Sequence, residues 1–388
     1  MTLLAVGLSQ IRSWRSRILL RTRRLLGNAP GLDASYDRSV QRLSDALTES
    51  GLNADVARRE AEEKAMEVLL ETAPSIVRSL KSDAPRMLNE HRRIIAGFER
   101  RLRERWGTAL DLYFMIAISC QEIGSDGYGD AKKETGGDNE RALLEAVSGL
   151  QARACRTALE VHSLLQAGFP KGALARARTI HELAVTSGVL TKFAICPEHE
   201  EIGTRFLLFD HITNYMDAIE HQKYAASLGA DPISEDEMDD ILAARQEALA
   251  RFPNMDQQNG WAVGLPGLSK RPTFAQLERL AELDHLRPYY TWASHEVHAN
   301  PKGVRLNQVE GFGGLVKLAG RTDIGLADPA QSALIALTQA TSSMLTLPGV
   351  LSPTRVVGSK AVLALVDEAC DEFERISRTM VDRLDETT

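Results

Sequence analysis

The chain contains 388 residues, of which 44% are hydrophobic and 26% are charged, and its formal net charge at pH 7 is −7. This balance is typical of a globular protein and excludes a disordered, a collagen-like or an integral membrane chain. A chain of this length buries roughly three quarters of the surface that it exposes when unfolded, so it needs no disulfide or structural metal to fold. The acidic balance argues against a protein that binds nucleic acid over its whole surface.

The first 32 residues form a basic segment, with no acidic residue before Asp33. Its apolar residues share one face of a helical wheel and most of its arginines lie outside that face, which predicts a basic amphipathic helix over 1–32. Such a helix packs on its own body or on a sister subunit, or it docks on a protein partner, an RNA or an anionic membrane surface. We expect a homo-oligomer and a cytoplasmic protein, with peripheral attachment to a membrane as the alternative.

Helical periodicity continues through almost all of the remaining sequence, and the alternation typical of strands is nearly absent. Residues 33–123 predict an N-terminal helical region that Pro85 interrupts. Residues 124–137 (GSDGYGDAKKETGG) are rich in Gly, Asp and Lys and predict a flexible loop or linker. Residues 138–388 predict a helical core domain. The predicted fold class is therefore all-α, an irregular antiparallel helical bundle with an N-terminal helical extension.

Start and stop signals divide the core domain into helices. Gly168 and Pro170, in the order typical of a helix end followed by a helix start, separate the first two. Ser234 and Thr273 each begin a capping box. The predicted helices extend over 138–167, 171–194, 197–228, 234–252, 273–285, 289–299, 329–345 and 354–385.

The cysteines form no C-x-x-C pair, because none lies within four residues of another. We expect buried free thiols in a reducing cytoplasm. The four are Cys120, Cys155, Cys196 and Cys370. The sequence contains neither a G-x-x-x-x-G-K-[ST] phosphate loop nor a G-x-S-x-G nucleophile elbow. We therefore predict no cofactor.

A first candidate site lies in the segment RARTIHELAV, at 176–185, where Arg178 and Glu182 are four residues apart on one helix face. An exposed pair at this spacing contributes only a few tenths of a kcal/mol. Apolar neighbours such as Ile180 and Leu183 indicate that this pair is partly buried. A buried Arg and Glu need partners, so the pair is either structural or part of a functional site.

A second candidate site lies in YYTWASHEVHANPKG, at 289–303, where Tyr290, Ser294 and His298 share a helical stripe. Two histidines and a serine at a helix end can bind an anion or relay a proton. We take these three residues as catalytic candidates together with Arg178 and Glu182. His295 and Lys302 are ligand-binding candidates.

Two less specific readings of the same histidines stay open. The first is a capping or surface role. The second is a zinc site, although His295-Glu296-Val297-His298 has one residue fewer between its histidines than the H-E-x-x-H signature. We assign no metal ligand from the sequence.

A third group, Arg205, Asp210 and His211, falls on the predicted helix over 197–228. Charges on a long helix usually face solvent, so this group is the weakest of the three. Arg205 is kept as a ligand-binding candidate.

Several segments together resemble a bacterial family that is known only as domain-of-unknown-function family 5677. They are FERRLRERWGTALDLY, RARTIHELAV, GTRFLLFDHITNY, NGWAVGL, LDHLRPYYTWASHEVHANPKG and LAGRTDIGLADP, in this order within roughly 90–388. The resemblance implies a helical protein and carries over no activity. The positions that match its pattern are Arg178, Glu182, Arg205, Tyr290, Ser294, His298 and Lys302.

The sequence also resembles, more faintly, the HEPN superfamily of helical ribonucleases and toxins, whose hallmark is an Arg and a following His separated by four to six residues. That chemistry uses the His to move the 2′-hydroxyl proton and the Arg to hold the phosphate. The spacing occurs here at Arg176 and His181, for example, but His298 has no Arg at that distance before it.

Three functions follow from these residues. The favoured one is a non-catalytic interaction, sensor or regulatory module with a polar pocket of Arg178, Glu182 and His298. The alternative is a metal-independent ribonuclease or phosphodiesterase of the toxin or defence type, in which His298 is the acid/base and Arg178 holds the phosphate. The second alternative is a metal-dependent hydrolase that uses His295 and His298. Convergence of Arg178, Glu182 and His298 in an open pocket favours an enzyme, whereas a closed, mutually hydrogen-bonded cluster favours the module.

Overall fold

A computed structural model describes residues 30–311 and 314–385. It is almost entirely helical, so the all-α prediction is confirmed. The α-helices in chain order are α1 (Pro30–Glu49), α2 (Ala54–Glu71), α3 (Ala73–Glu134), α4 (Asp138–Gln166), α5 (Pro170–Ala194), α6 (Ile202–Leu228), α7 (Glu235–Arg251), α8 (Phe274–Leu280), α9 (Arg287–Val297), α10 (Pro301–Leu306), α11 (Ala327–Leu345) and α12 (Pro353–Asp385). Short 3₁₀ turns occur at Pro197–His199, Gly260–Ala262 and Asp284–Leu286.

One short hairpin interrupts the helical pattern, a feature that the sequence does not predict. The strands β1 (Gln308–Gly311) and β2 (Gly314–Lys317) are antiparallel, with Gln308 opposite Lys317. Strands of four residues are too short for alternation to stand out from chance.

Two compact units divide the chain, the first ending at Ile95 and the second beginning at Ala96. In the second unit, α5 makes extensive contacts with both α4 and α11. The main hydrophobic cluster of this unit begins at Leu102 and includes the fully buried Trp106, Tyr113 and Phe373. Many of its other members are alanines, which let the helix axes approach closely. The core therefore draws on the second half of α3 as well as on residues after 138.

The segment 124–137, which the sequence predicts as a flexible loop or linker, is helical as far as Glu134. Gly124, Gly127 and Ala131 are buried in α3. A Cβ atom at Gly127 would lie 2.8 Å from the side chain of Val350. The glycines that suggest a loop are thus the residues that let other parts of the core pack directly on the α3 backbone.

The first unit contains α1, α2 and the start of α3. Helices α1 and α2 pack on each other through a small cluster formed by Val40, Ala61 and Ala65. Pro85, which the sequence predicts as an interruption, lies inside the continuous helix α3. Most of the basic helix that the sequence predicts over 1–32 lies outside the described residues, which begin at Pro30.

Several helix ends have the capping contacts and the turn that the sequence predicts. Ser234 Oγ accepts a hydrogen bond from the backbone N–H of Glu237 (3.3 Å). Gln276 Oε1 accepts one from the backbone N–H of Thr273 (2.9 Å). Gly168 has a φ of +76°, a conformation that side chains disfavour, and it turns the chain from α4 into α5. No helix in the described part of the chain is long and apolar enough to span a bilayer.

The four cysteines are free thiols, as predicted, but only Cys120 and Cys155 are buried, whereas Cys196 and Cys370 are partly exposed. Burial raises the pKa of Cys120 to about 11 and that of Cys155 to about 12. Burial also raises the pKa of the half-buried Cys370 to about 11. These three thiols are therefore protonated at neutral pH and poorly nucleophilic.

Candidate functional site

Helices α5 and α9 run antiparallel and carry most of the predicted site residues. Arg178 of α5 contacts Tyr290 of α9, while Lys171, two turns earlier on α5, pairs with Glu296, later on α9. The Lys171 Nζ to Glu296 Oε1 distance is 3.3 Å. The two contacts show which turns of the two helices face each other.

Arg178, Glu182 and Tyr290 form a closed triangle of hydrogen bonds. Arg178 Nε donates to Glu182 Oε1 (3.1 Å), and Arg178 Nη2 donates to the Tyr290 hydroxyl (2.8 Å). That hydroxyl donates in turn to Glu182 Oε1 (3.0 Å). The guanidinium carbon lies 4.6 Å from the centroid of the Tyr290 ring. The Arg178 side chain is 18% exposed and that of Glu182 is 39% exposed, so the pair is partly buried, as the sequence predicts.

The electrostatics of the triangle keep Tyr290 protonated. Burial raises the pKa of Tyr290, and the negative charge of Glu182 raises it further, while Arg178 opposes the shift. A neutral phenol can donate to the carboxylate of Glu182 while it accepts from Arg178. The three groups therefore hydrogen-bond to one another, and Nη1 is the guanidinium nitrogen of Arg178 that has no partner.

A second polar group, which the sequence does not predict, lies beside the triangle. Glu278 of α8 is 0% exposed, and its Oε1 lies 2.9 Å from His181 Nε2. Its other carboxylate oxygen accepts a hydrogen bond from Arg287 at the start of α9. The His181 ring also contacts Tyr290, with ring centroids 5.8 Å apart. A buried carboxylate with two such partners fixes the orientation of the imidazole.

A small cavity of about 30 Å³ lies between α5, α9 and α11, next to both polar groups. This volume is enough for one or two water molecules. Most of the lining is apolar, and the polar residues in it come from all three helices. The lining residues are Leu174, Ala177, Arg178, His181, Leu286, Tyr289, Tyr290, Ala293, Ser332 and Ile335.

His298 does not join the triangle. It ends α9 as the C-cap residue, two turns after Tyr290 and exposed to solvent. Eight residues correspond to about 12 Å along a helix. Ser294, midway between the two, donates its hydroxyl to the carbonyl of Tyr290 (2.7 Å) and so stays on its own helix. The predicted stripe exists, but only Tyr290 reaches Arg178.

His295 of α9 and its C-cap residue His298 line a different, open groove of about 420 Å³, together with Lys171 and Lys317. Asn300 orients one of them, because its Nδ2 donates to His295 Nδ1 (3.0 Å) while its Oδ1 accepts from the backbone N–H of Gly303 (2.9 Å). In the neutral imidazole the proton is then on Nε2 of His295. The groove presents imidazoles and ammonium groups to solvent.

Arg205, the third group's main candidate, contacts the protein's own backbone. Its guanidinium donates to the carbonyls of Gly260 (3.4 Å) and Val263, and so holds the 259–265 turn against α6. Burial lowers the pKa of this guanidinium. Asp210 is exposed on α6 and Lys302 is exposed on α10. None of these residues is among those that line the cavity.

Among residues 30–311 and 314–385, no group of three or more His, Cys, Asp or Glu side chains is arranged to hold a metal ion. His295 and His298 share their groove with one carboxylate, Glu296, which pairs with Lys171.

The sequence does not predict the contact between His181 and Glu278, because the two residues are far apart in the chain. His181 lies 97 residues before Glu278, and no periodicity links them. The available signal is position, since His181 lies between Arg178 and Glu182 and next to the buried Ile180. Glu278 follows a predicted capping box on the short helix α8, where a carboxylate is usually exposed.

Comparison with known proteins gives one match. No curated protein and no solved structure matches the chain. A family model described as a family of unknown function (DUF5677) matches residues 144–311. The fainter resemblance to the HEPN superfamily is not shown by these comparisons. The matched segment contains Arg178, Glu182, Tyr290 and His298, and it confirms for residues 144–311 the resemblance to this uncharacterised family that the sequence predicts.

Proposed function

We propose that this protein is a non-catalytic helical module, a sensor or regulator that binds a small ligand beside the polar network of α5 and α9. The observation that carries the proposal is the closed triangle of Arg178, Glu182 and Tyr290. A phosphate-binding Arg and a general base must both reach the reacting group. Here the Arg is held by Glu182 and Tyr290, and His298 lies about 12 Å further along α9.

The cavity supports binding as the role of the network. It is bordered by Arg178, His181, Tyr290 and Ser332, and its volume of about 30 Å³ is far below the roughly 300–1,000 Å³ typical of pockets that hold larger ligands. A small ligand there would contact three helices at once. Its binding energy would therefore change how firmly α5, α9 and α11 are held together.

The first test combines RNA cleavage with thermal unfolding. We expect purified protein to leave RNA intact with or without EDTA. Tyr290→Phe should lower the free energy of unfolding by about 1–2 kcal/mol, because it removes a hydroxyl that both donates and accepts within the triangle. Tyr224→Phe, at an exposed tyrosine of α6 that does not line the cavity, is the matched control and should change stability by less than about 0.5 kcal/mol.

Cleavage that survives EDTA and disappears in both Arg178→Ala and His298→Ala would overturn this proposal. Loss of stability in Arg178→Ala without any cleavage by the parent protein would support it.

A second candidate is phosphodiester chemistry in the open groove, and one observation favours it. His295 and His298 line that groove with Lys171 and Lys317, so an imidazole could move a proton beside an ammonium group that holds a phosphate. This version needs no contribution from Arg178. It predicts cleavage that is lost in His298→Ala and retained in Arg178→Ala, which separates it from the mechanism that the sequence suggests.

A further inference from the structure

We propose that the cavity between α5, α9 and α11 is a binding site for a small monovalent anion, of the size of chloride or formate. The inference deepens the proposed function and rests on it, because it names the chemical class of the ligand. Three features of the lining carry it: an unpartnered guanidinium nitrogen, an unpartnered hydroxyl and the absence of a lining carboxylate.

The first feature is the third guanidinium nitrogen of Arg178, Nη1. Its Nε and Nη2 are both hydrogen-bonded within the triangle. Its Nη1 is buried and has no hydrogen-bond partner. A guanidinium carries only donors, so the group that completes Arg178 must be an acceptor, and a charged acceptor makes the stronger bond.

The second feature is Ser332 of α11, whose buried Oγ has no partner either. A serine or threonine inside a helix usually donates back to the carbonyl four residues earlier. Thr338, Thr341 and Ser343 do so on the same helix, at 3.0, 2.9 and 3.1 Å. Ser332, which lines the cavity, makes no such hydrogen bond. Its hydroxyl is therefore available to a ligand.

The third feature is the charge of the surroundings. No carboxylate is among the residues that line the cavity. Glu182 is engaged by Arg178 and Tyr290, and Glu278 by His181 and Arg287. An anion therefore meets two donors and no competing acceptor. The cavity of about 30 Å³ favours a small ligand. Because the two Arg–Glu pairs already balance in charge, a singly charged anion disturbs this balance less than phosphate or sulfate would.

The test measures thermal unfolding at constant ionic strength, with sodium chloride or sodium formate replacing sodium gluconate, whose anion is too large for the cavity. We expect a saturable rise in melting temperature with chloride, formate or both, because a ligand that binds only the folded state stabilises it. Ser332→Ala should weaken the apparent affinity by about tenfold, the loss expected for one hydrogen bond to a charged group. Ser343→Ala, on the same helix but away from the cavity, should leave the affinity unchanged.

A crystal grown in sodium bromide provides an independent readout, with an anomalous peak expected beside Arg178 and Ser332. A response to formate alone would identify a carboxylate ligand, and a response to chloride alone a halide; both support the inference. A response of equal affinity in Ser332→Ala, or no saturable response together with no bromide peak, would overturn it in favour of a cavity filled by water. RNA cleavage would overturn the proposed function without affecting this measurement, so the two failures are distinguishable.

Discussion

His162 of α4 shows how burial shifts the charge state of a side chain in this protein. It is 7% exposed and stacks on the rings of Tyr113 and Phe114, with centroid distances of 5.7 and 5.0 Å. Its Nε2 is buried without a hydrogen-bond partner. Desolvation is the largest cause that lowers the pKa of this imidazole. The folded protein therefore holds His162 neutral under conditions in which the unfolded chain begins to protonate it.

The sign of the resulting pH dependence follows from this lowered pKa. An unfolded histidine titrates near pH 6.5. Below that pH the unfolded state binds a proton that the folded state does not, so the folded state loses stability as the pH falls. We expect His162→Phe to reduce the pH dependence of the free energy of unfolding between pH 7.5 and 5, by up to about 1.4 kcal/mol per pH unit.

Denaturant unfolding at several pH values measures this slope. His298→Ala, at an exposed histidine, is the control and should keep the slope of the parent protein. Identical slopes for the parent and for His162→Phe would show that burial does not hold His162 neutral.

The contacts of individual side chains also show what the sequence can predict about the candidate site. Arg178 and Glu182 are neighbours because a helix places residues four apart on one face, and the structure has their side chains in contact. The Glu278 contacts with His181 and Arg287 depend instead on where α8 packs against α5. A helical stripe on α9 is equally visible in the sequence, but it gives no information on which of its turns meets the partner helix.

At the scale of elements, glycine decides where helices approach each other. Gly203, near the start of α6, lies so close to α4 that a Cβ atom would be 2.5 Å from the backbone nitrogen of Leu143. Backbone atoms cannot move aside as a flexible side chain can. Gly149, exposed in the middle of α4, would have no atom within 4 Å of its Cβ. Packing thus requires glycine at position 203 but not at position 149.

We expect Gly203→Ala to destabilise the protein by about 1–3 kcal/mol, because α6 must move away from α4 to admit the methyl group. Gly149→Ala should stabilise it by about 0.5–1 kcal/mol, since alanine restricts the unfolded chain and meets no obstacle in the helix. Thermal or denaturant unfolding of the two variants, compared with the parent, measures both effects. Similar shifts of the same sign in the two variants would contradict this account of α4 and α6.

The sequence predicts the helix starts at Ser234 and Thr273 correctly, but it predicts a loop where buried glycines continue α3 to Glu134. Helix starts at Ser234 and Thr273 depend on local hydrogen bonds, which the sequence contains in full. The segment 124–134 has poor helix propensity, yet it is helical because Gly124 and Gly127 pack within the core. Burial by distant parts of the chain overrides local propensity there, and a single sequence does not contain that information.

At the scale of the whole molecule, the core of the second unit depends on side chains from the second half of α3. Trp106 Nε1 donates to the carbonyl of Asp323 (3.0 Å), and its ring lies 5.8 Å from that of Phe373. The Tyr113 hydroxyl donates to the carbonyl of Ala158 (3.1 Å). All three contacts cross the boundary at 138 that the sequence predicts for the core domain. Cutting the chain at that boundary would remove two of the largest fully buried side chains.

Truncation at two positions tests where the folding unit begins. A chain that starts at Ala96 retains the main hydrophobic cluster, which begins at Leu102, so it should unfold in one cooperative transition. We expect its melting temperature to lie within about 5 °C of that of the full chain, which corresponds to about 3 kcal/mol for a domain of this size. A chain that starts at Asp138 lacks Trp106 and Tyr113 and should lose cooperative unfolding, because burying large aromatic side chains contributes several kcal/mol each. Circular dichroism during heating distinguishes the two. Cooperative unfolding of the shorter chain would place the core after 138 and would make the second half of α3 an accessory to it.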